Sequence, residues 1–236
     1  MLTVISLGGS IVAPDKVDEF FLAEFVKVIV KLLNDDTSRK FVFVVGGGGP
    51  ARAWQTAFRN VSAKTSADGS NTSNNAADWI GIMATRLNAQ LVKSVFADFC
   101  TDDVVTDPTA QIDFTGRILV AAGWKPGFST DNDAVLLAEK FGAKTVINLS
   151  NIEKVYTDDP KKNPDAKPID TISWSEFCKI VGSEWHPGIN VPFDPVASKH
   201  AMQAGLTVIC AAGHDLHNLQ NIIAGKNYTG TTIGHL

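Results

Sequence analysis

The sequence has few of the features that mark secreted, membrane-spanning or nucleic-acid-binding proteins. Its three cysteines, Cys100, Cys178 and Cys210, are an odd and widely spaced set, which excludes a disulfide framework and matches no metal-binding spacing. The longest apolar runs are far shorter than a membrane span, and the first residues have the pattern of a strand without a charged leader. The net charge of −4 argues against a broad surface for nucleic acid or anionic membranes. We expect a cytoplasmic protein with reduced thiols.

Two familiar nucleotide-binding motifs are missing as well. No G-x-x-x-x-G-K-[ST] loop occurs, which excludes the usual phosphate-loop NTPase fold. The run Gly8-Gly9-Ser10 lacks the G-x-G-x-x-G spacing of a dinucleotide fingerprint. Any phosphate-bearing ligand must therefore be bound by a few placed cations and by backbone amides.

The chain does contain ample core material, with 44 % hydrophobic and 19 % charged residues. Nearly unbroken apolar strands alternate with helical patterns, which predicts an α/β fold with a central, mostly parallel sheet covered on both faces. The predicted strands lie at 3–7, 41–45, 118–122, 144–149 and 206–210, and the predicted helices near 17–33, 51–59, 79–96, 131–141 and 196–204. No linker divides 1–236 into independent domains.

Two glycine clusters stand directly after predicted strands. Gly8, Gly9 and Ser10 follow the first, and four glycines at 46–49 follow the second. Consecutive glycines let backbone N–H groups approach an anion, and a helix that begins just afterwards adds the positive end of its dipole. Pro50 suits a first helical turn, and Arg52 stands where its guanidinium can reach a phosphate at that helix start. Two such loops predict a site for two phosphate groups, although the first alone is equally explained by a tight turn.

The helix predicted near 79–96 is amphipathic in an unusual way. An apolar stripe consists of Ile80, Ala84, Leu87 and Leu91, and the opposite side consists of Asp78, Gly81, Thr85 and Asn88. A carboxylate at a helix start beside a glycine suits the paired hydroxyls of a ribose. A helix N-cap without any ligand explains Asp78 equally well.

Three later segments supply further candidates. The run 127–131 opens a helix, with Thr130 and Asp133 spaced as a capping box, and its hydroxyls can meet a base edge. The polar loop after 144–149 can hold the ring and ribose of a nucleotide. Asp194 and Pro195 fix another helix start, and Lys199, about one turn in, can neutralise a phosphoryl group during transfer.

Two segments break the alternation of strands and helices. Residues 61–77 are rich in Ser, Asn, Thr and Ala and have no apolar period, which predicts a mobile surface loop. Residues 182–192 contain two prolines and are predicted to be irregular.

Taken together, these motifs resemble the amino-acid kinase superfamily, and most closely its archaeal-type UMP (uridylate) kinases. The matching motifs are Gly8-Gly9-Ser10, Val44-Val45-Gly46-Gly47-Gly48 with Ala51-Arg52, Asp78-Trp79-Ile80-Gly81-Ile82, Thr85-Arg86-Leu87-Asn88-Ala89, Pro126-Gly127, Ser129-Thr130-Asp131, Val155-Tyr156-Thr157-x-Asp159-Pro160-Lys161-Lys162, Asp194-Pro195-Val196-Ala197-Ser198-Lys199 and Gly230-Thr231-Thr232-Ile233. They cover essentially the whole chain.

The resemblance implies a three-layer sandwich of the amino-acid kinase (carbamate kinase-like) type and a role for each candidate residue. Gly47, Gly48 and Arg52 would bind the UMP phosphate, Asp78 the ribose, and Gly127, Ser129 and Thr130 the uracil side. Ser150, Tyr156 and Asp159 would line the ATP pocket, and Gly8, Gly9 and Ser10 would meet the phosphates being exchanged. Lys199 would act on the transferred group and Asp194 would organise it.

The resemblance also implies the setting of the reaction. ATP would arrive with Mg²⁺, and no residue is predicted to hold a metal by itself. An acceptor lobe would span about 1–125 and an ATP lobe about 126–236. Relatives typically form hexamers in the cytoplasm, where UMP kinases serve pyrimidine nucleotide synthesis.

The chain departs from that pattern at several places, and the departures leave two alternatives open. Ser6 stands where many relatives carry a lysine, Ile152-Glu153-Lys154 replaces Val-Asp-Gly, and Trp124-Lys125 replaces a small-polar pair. A non-catalytic nucleotide-binding or storage protein, like the molybdenum storage proteins, is one alternative. A kinase for another small acceptor, such as isopentenyl phosphate, is the other, but that group places a histidine near the second glycine loop and no histidine precedes His186 here.

Overall fold

A computed structural model describes residues 2–65, 74–182 and 191–234. The strands are β1 (Leu2–Leu7), β2 (Lys40–Val45), β3 (Ile118–Ala121), β4 (Thr145–Ser150), β5 (Val155–Tyr156), β6 (Pro168–Ile169), β7 (Thr171–Ser173), β8 (Thr207–Ala212) and β9 (Thr231–Gly234). The helices are α1 (Gly9–Val12), α2 (Glu19–Asp35), α3 (Gly48–Thr65), α4 (Asn74–Val95), α5 (Thr130–Phe141), α6 (Trp174–Val181), α7 (Pro195–Gln203) and α8 (Leu216–Ile223). All five predicted strands and all five predicted helices are present.

The main sheet has the strand order β3-β2-β1-β4-β8-β9-β7, and a separate hairpin joins β5 to β6. All pairs in the main sheet are parallel except β8 with β9, so the predicted mostly parallel sheet is confirmed. Leu7 pairs with both Val45 and Leu149. The carboxyl ends of β1, β2 and β4 therefore lie side by side, along what we call the carboxyl edge of the sheet.

The core lies on both faces of this sheet, which confirms the three-layer α/β sandwich. Ile5 and Leu7 of β1 contribute to one face, where Phe25 of α2 and Phe96 just after α4 also pack. Val4 contributes to the other face, together with residues of α5, α6 and α7. The strand β1 contributes to both faces because successive side chains of a strand point to opposite sides of the sheet.

The prediction of a mobile loop at 61–77 is wrong at both ends. Residues 61–65 continue α3, residues 74–77 begin α4, and 66–73 lie outside the described residues. The apolar period is missing because no residue of α3 is buried, so that helix needs no core-facing stripe. In the irregular segment predicted at 182–192, residues 183–190 likewise lie outside the described part of the chain.

The helix α4 turns the side that carries Asp78, Thr85 and Asn88 toward the protein, and of its apolar stripe Leu91 packs against the core. Asp78, Thr85 and Asn88 are buried, whereas Leu87 of the stripe is 72 % exposed. Buried polar side chains require hydrogen-bond partners. The partners of this face are the loops at the carboxyl edge of the sheet, described below.

The structure adds two general findings. The cysteines Cys100, Cys178 and Cys210 are all free. None of the helices in the described ranges combines the length and the apolar character that a membrane span needs.

Candidate active site

The two glycine loops lie against each other at the carboxyl edge of the sheet. A Cβ atom on Gly9 would overlap the backbone nitrogen of Gly48 and would lie 2.7 Å from the carbonyl carbon of Gly46. The N–H of Gly46 also donates to the carbonyl oxygen of Leu7 at 3.0 Å. Such close approach of two backbones requires residues without side chains. The two loops are therefore neighbours on one side of the molecule.

The second glycine loop leads directly into α3. Gly48 begins this helix with a φ of 65°, a conformation that favours glycine, and a side chain there would overlap the carbonyl oxygens of Ala13 and Gly9. Arg52 is exposed one turn into the helix and donates to the carbonyl oxygen of Pro14 at 3.0 Å. A helix start and a guanidinium thus lie together, and each of them favours the binding of an anion.

Asp78 lies inside α4, so the interpretation of this residue as a helix-start carboxylate is wrong. The helix begins four residues earlier, at Asn74. Asp78 is 8 % exposed, and its Oδ2 accepts a hydrogen bond from the N–H of Gly127 at 3.0 Å. Burial raises the pKa of Asp78, while the Gly127 N–H and the charge of Arg59 oppose the rise. The carboxylate joins α4 to the loop predicted to meet the base.

Two further side chains of α4 bind the site loops, and neither was among the predicted site residues. The Nδ2 of Asn88 donates to the carbonyl oxygens of Gly46 and Gly47 at 2.9 and 3.2 Å. The Oγ1 of Thr85 accepts from the N–H of Gly123 at 2.8 Å. The spacing of polar positions 78, 85 and 88 was the available sequence signal, but a pattern does not identify the partner.

Asp131, the second residue of α5, links three elements at this edge. Its Oδ1 accepts from the hydroxyl of Ser6 at 2.9 Å, and its Oδ2 accepts from the N–H of Asp194 at 3.3 Å. Burial raises the pKa of Asp131 to about 6, and the Asp194 carboxylate adds to the rise while the Ser6 hydroxyl opposes it. Ser6, one of the predicted departures from the family pattern, is therefore a hydrogen-bond donor to a carboxylate.

The start of α5 differs in detail from the prediction. Ser129 is the N-cap, and its Oγ accepts from the N–H of Asn132 at 3.3 Å, so the capping box expected from Thr130 and Asp133 is wrong. Asp133 instead points inward, where its Oδ2 accepts from the N–H of Trp124 at 3.2 Å and its Oδ1 is buried without a hydrogen-bond partner. Burial raises the pKa of Asp133 to about 7.

Asp194 and Pro195 begin α7 as predicted. The Oδ1 of Asp194 accepts from the N–H of Ala197 at 2.7 Å, and its Oδ2 is buried without a hydrogen-bond partner. Burial raises the pKa of Asp194. Lys199 is exposed on the same helix and lines an open cavity of about 550 Å³ together with Trp124 and Phe128. Its action on a transferred phosphoryl group stays a prediction.

Of the residues predicted for the ATP pocket, only some lie beside the glycine loops. A Cβ atom on Gly8 would lie 3.6 Å from the Cα of Ser150, so the end of β4 adjoins the first glycine loop. Tyr156 is half-buried in β5, which pairs with β6. Asp159 is exposed and accepts from the N–H of Lys161 at 3.0 Å within its own turn. The structure brings Ser150 to the glycine loops, whereas Tyr156 and Asp159 belong to the segment beyond it.

Comparison with known proteins points to one family. The sequence model of the amino acid kinase family matches residues 1–212 of this chain. A uridylate kinase of Methanospirillum hungatei is 34 % identical over 98 % of this chain and 93 % of its own, and one of Pyrococcus abyssi is 33 % identical over 99 % of both chains. The crystal structure of a uridylate kinase from Archaeoglobus fulgidus has a TM-score of 0.81 at 30 % identity, covering 99 % of this chain and 100 % of its own.

Proposed function

The chain belongs to the amino acid kinase family, and we propose that it transfers the γ-phosphoryl group of ATP to UMP, giving UDP and ADP. The observation that carries the proposal is the direct packing of two glycine loops, Gly8–Gly9 against Gly46–Gly48, at the carboxyl edge of the sheet. Two phosphate groups bound at these loops would be adjacent. The identities of the acceptor, UMP, and of the donor, ATP, are inferred from the uridylate kinases to which the chain is similar over its full length.

In this proposal each of the two glycine loops binds the phosphate of one nucleotide. UMP is held through its phosphate by Gly47, Gly48 and Arg52, through its ribose by Asp78, and through its base by Gly127, Ser129 and Thr130. ATP lies along Ser150, Tyr156 and Asp159, with its phosphates at Gly8, Gly9 and Ser10. The acceptor lobe would span about 1–125 and the ATP lobe about 126–236 of a cytoplasmic enzyme of pyrimidine nucleotide synthesis. Each lobe would also contribute to the other ligand, through 8–10 to the ATP phosphates and through 127–130 to the base.

The reaction requires little covalent chemistry from the protein. A phosphate oxygen of UMP attacks the γ-phosphorus, the bond from that phosphorus to the β-bridging oxygen breaks, and ADP leaves with the electron pair. Positioning and electrostatic stabilisation dominate such transfers. The start of α3 and Arg52 would hold the acceptor, Lys199 would neutralise the transferred group, and Asp194 would fix the start of the helix that carries Lys199.

Magnesium would reach this site with ATP. The described residues contain no group of three His, Cys, Asp or Glu side chains that could bind a metal by themselves. Mg²⁺ usually keeps several waters and is bound by substrate phosphates with one or two carboxylates. The buried, unpartnered Oδ2 of Asp194 fits as one such oxygen. When bound, the ion would neutralise negative charge on the phosphates of ATP.

The proposal is tested by measuring ADP release from ATP and Mg²⁺ with UMP, CMP, isopentenyl phosphate and acidic amino acids as acceptors. We expect turnover with UMP, and slower turnover with the other acceptors. Turnover with an amino acid but not with UMP would contradict the proposed acceptor. Binding of ATP and UMP without any turnover would favour the storage-protein alternative.

The role of Lys199 is tested by Lys199→Ala. We expect kcat to fall by about a hundredfold or more, because a cation on the transferring group is lost. The melting temperature should hardly change, since the side chain is exposed. Lys179→Ala, which removes another exposed lysine, is the matched control. A kcat close to that of the original protein would contradict the role of Lys199.

We propose further that the chain forms a homo-oligomer, a hexamer by its resemblance to UMP kinases. The support is an apolar surface on α3 and α4 formed by Trp54, Val61, Trp79, Met83 and Leu87, each of them well exposed. Large exposed apolar side chains grouped on two helices are typical of an interface between copies of a chain. Sedimentation should give six times the chain mass of 25.3 kDa. Met83→Lys with Leu87→Glu should lower that mass, and an unchanged mass would contradict this surface as the interface.

A further inference from the structure

The buried face of α4 connects the two loops that would hold opposite ends of the acceptor. Asn88 donates to the carbonyl oxygens of Gly46 and Gly47, in the loop assigned to the phosphate. Thr85 accepts from the N–H of Gly123, at the start of the loop assigned to the base. Both contacts are within one turn of a single helix, about 4.5 Å apart along its axis.

We propose that Thr85 and Asn88 are positioning residues that fix the phosphate loop and the base loop relative to each other and so determine acceptor specificity. This inference rests on the proposed function. Neither side chain is required to touch the acceptor, because each acts through the backbone of a loop. A nucleoside monophosphate is recognised at both ends, so a fixed separation between the two loops favours it over shorter phosphate esters.

Asn88 orients the phosphate loop by two hydrogen bonds from one side-chain amide. The residue is 4 % exposed, and one amide group serves two successive carbonyl oxygens. Holding these oxygens on the α4 side directs the peptide planes of the loop, and with them the N–H groups that would face the phosphate. Loss of the donor would break the buried bond to the carbonyl oxygen of Gly46, at a cost typical of a broken buried hydrogen bond. The carbonyl oxygen of Gly47 would keep its bond from the N–H of Ala51 at 3.4 Å.

Thr85 has a similar role at the base loop. Its Oγ1 donates to the carbonyl oxygen of Ile82 at 2.7 Å and accepts from the N–H of Gly123, so these two bonds fix the direction of the hydroxyl. A methyl group of Thr85 lies near the place where a Cβ on Gly47 would stand, at 3.4 Å. The same side chain therefore packs against one loop and hydrogen-bonds the other. Arg86 adds a bond to the carbonyl oxygen of Trp124 at 3.2 Å.

The test uses Thr85→Val and Asn88→Leu, which keep the shape of each side chain and remove its hydrogen bonds. We expect the KM for UMP to rise by about tenfold or more while the KM for ATP stays within about twofold. Thr85→Ser should restore the original KM for UMP, since it keeps the hydroxyl. Discrimination between UMP and a short phosphate ester should fall in both variants.

Matched controls come from the other end of the sheet. Asn218 is a buried asparagine that donates to the carbonyl oxygen of Thr229 at 2.6 Å, and Thr231 is a buried threonine that accepts from the N–H of Val155 at 2.8 Å. Asn218→Leu and Thr231→Val should lower the melting temperature without raising the KM for UMP relative to the KM for ATP. A rise in the KM for UMP in these controls would show that any buried polar loss has this effect, which would overturn the inference.

Two outcomes separate this inference from the proposed function. If the original protein does not turn over UMP, the proposed function fails and the inference fails with it. If it does, and Thr85→Val and Asn88→Leu lose stability with an unchanged KM for UMP, only the positioning role is overturned. Should these variants not fold, Arg86→Gln at a half-buried position gives the second measurement. There too, an unchanged KM for UMP would contradict the inference.

Discussion

The proposed acceptor and donor sides of the site are held in opposite ways. On the acceptor side, Asp78, Thr85 and Asn88 reach from one helix to the backbones of two loops, and all three are buried. On the donor side, the segment at 151–170 bonds mostly to itself, as when Asp158 accepts from Asn163 at the surface. It is attached to β9 near its two ends, by the bond from the N–H of Val155 to Thr231 and by bonds from β9 to the carbonyl oxygens of Ile169 and Asp170.

This difference predicts that the proposed acceptor side and donor side differ in how easily they open. Breaking a buried bond between a side chain and the backbone costs about 1–3 kcal/mol, because a polar group is left without a partner. Exposed bonds and ion pairs contribute little. The acceptor side should therefore be preformed, and the donor loop should open and close at little cost in stability. The predictions below begin with the change that should disrupt the molecule most.

The largest effect is expected where the acceptor loop meets the first glycine loop. Gly9→Ala would place a Cβ atom into the backbone of Gly48 and Gly46, and two backbones cannot both move away without separating β1 from β2. We expect a loss of about 3 kcal/mol or more in the free energy of unfolding, or no folded protein at all. Urea denaturation monitored by circular dichroism measures this loss.

Gly142→Ala is the control for Gly9→Ala. Gly142 ends α5 with a φ of 70°, but a Cβ atom there would meet nothing within 4 Å. This change should cost only about 1 kcal/mol, the price of a left-handed conformation in a residue with a side chain. Equal losses in the two variants would show that backbone conformation, and not the contact between the loops, limits these positions.

An intermediate effect is expected from Asp133→Asn, which changes how α5 holds the acceptor loop. The pKa of Asp133 is raised to about 7 by burial, and the neighbouring carboxylates of Asp131, Asp107 and Asp194 raise it further. The bond from the N–H of Trp124 acts in the opposite direction. Because the folded state keeps this proton longer than the unfolded state, the protein should lose stability as pH rises from about 4 to about 7.

Asparagine keeps the acceptor atom for Trp124 and removes the charge. Asp133→Asn should raise the free energy of unfolding by about 2 kcal/mol at pH 8 and leave it nearly unchanged at pH 4, where the original carboxyl is already neutral. Urea denaturation at both pH values tests this. A gain of equal size at the two values would mean that the effect has another cause than the buried charge.

The sheet and its main helices could be predicted from the sequence because their apolar runs follow the periods of strands and helices. The short elements α1, β5, β6, β7 and β9 were not predicted, since two to four residues carry no period. The helices α6 and α8, of eight residues each, were missed as well. The orientation of α4 could not be predicted either. Its apolar stripe contains Leu87, which is exposed, and a pattern of residues shows two faces without showing which one meets the core.

The candidate site was predictable where backbone groups, and not side chains, form it. Glycines at 8–9 and 46–49 after strands indicate loops that meet, and the structure places them in contact. Residues that act through a partner distant in sequence were harder to find. Ser6 and Asp131 are 125 positions apart, and their hydrogen bond depends on the register of β1 with β4 and on the start of α5. Nothing local to either residue reveals that bond.

The smallest effect is expected on the donor side, from Lys154→Gln. Lys154 pairs with Asp170 across the β5–β6 hairpin, and the carboxylate side chain is 81 % exposed. Solvent and salt screen such a pair, so the melting temperature should change by less than about 2 °C, and by less still at high ionic strength. The KM for UMP should be unchanged, because no acceptor loop contacts the hairpin in this proposal. A loss as large as that of Gly142→Ala would show that the donor loop is held as firmly as the acceptor loops, and the contrast between the two sides would disappear.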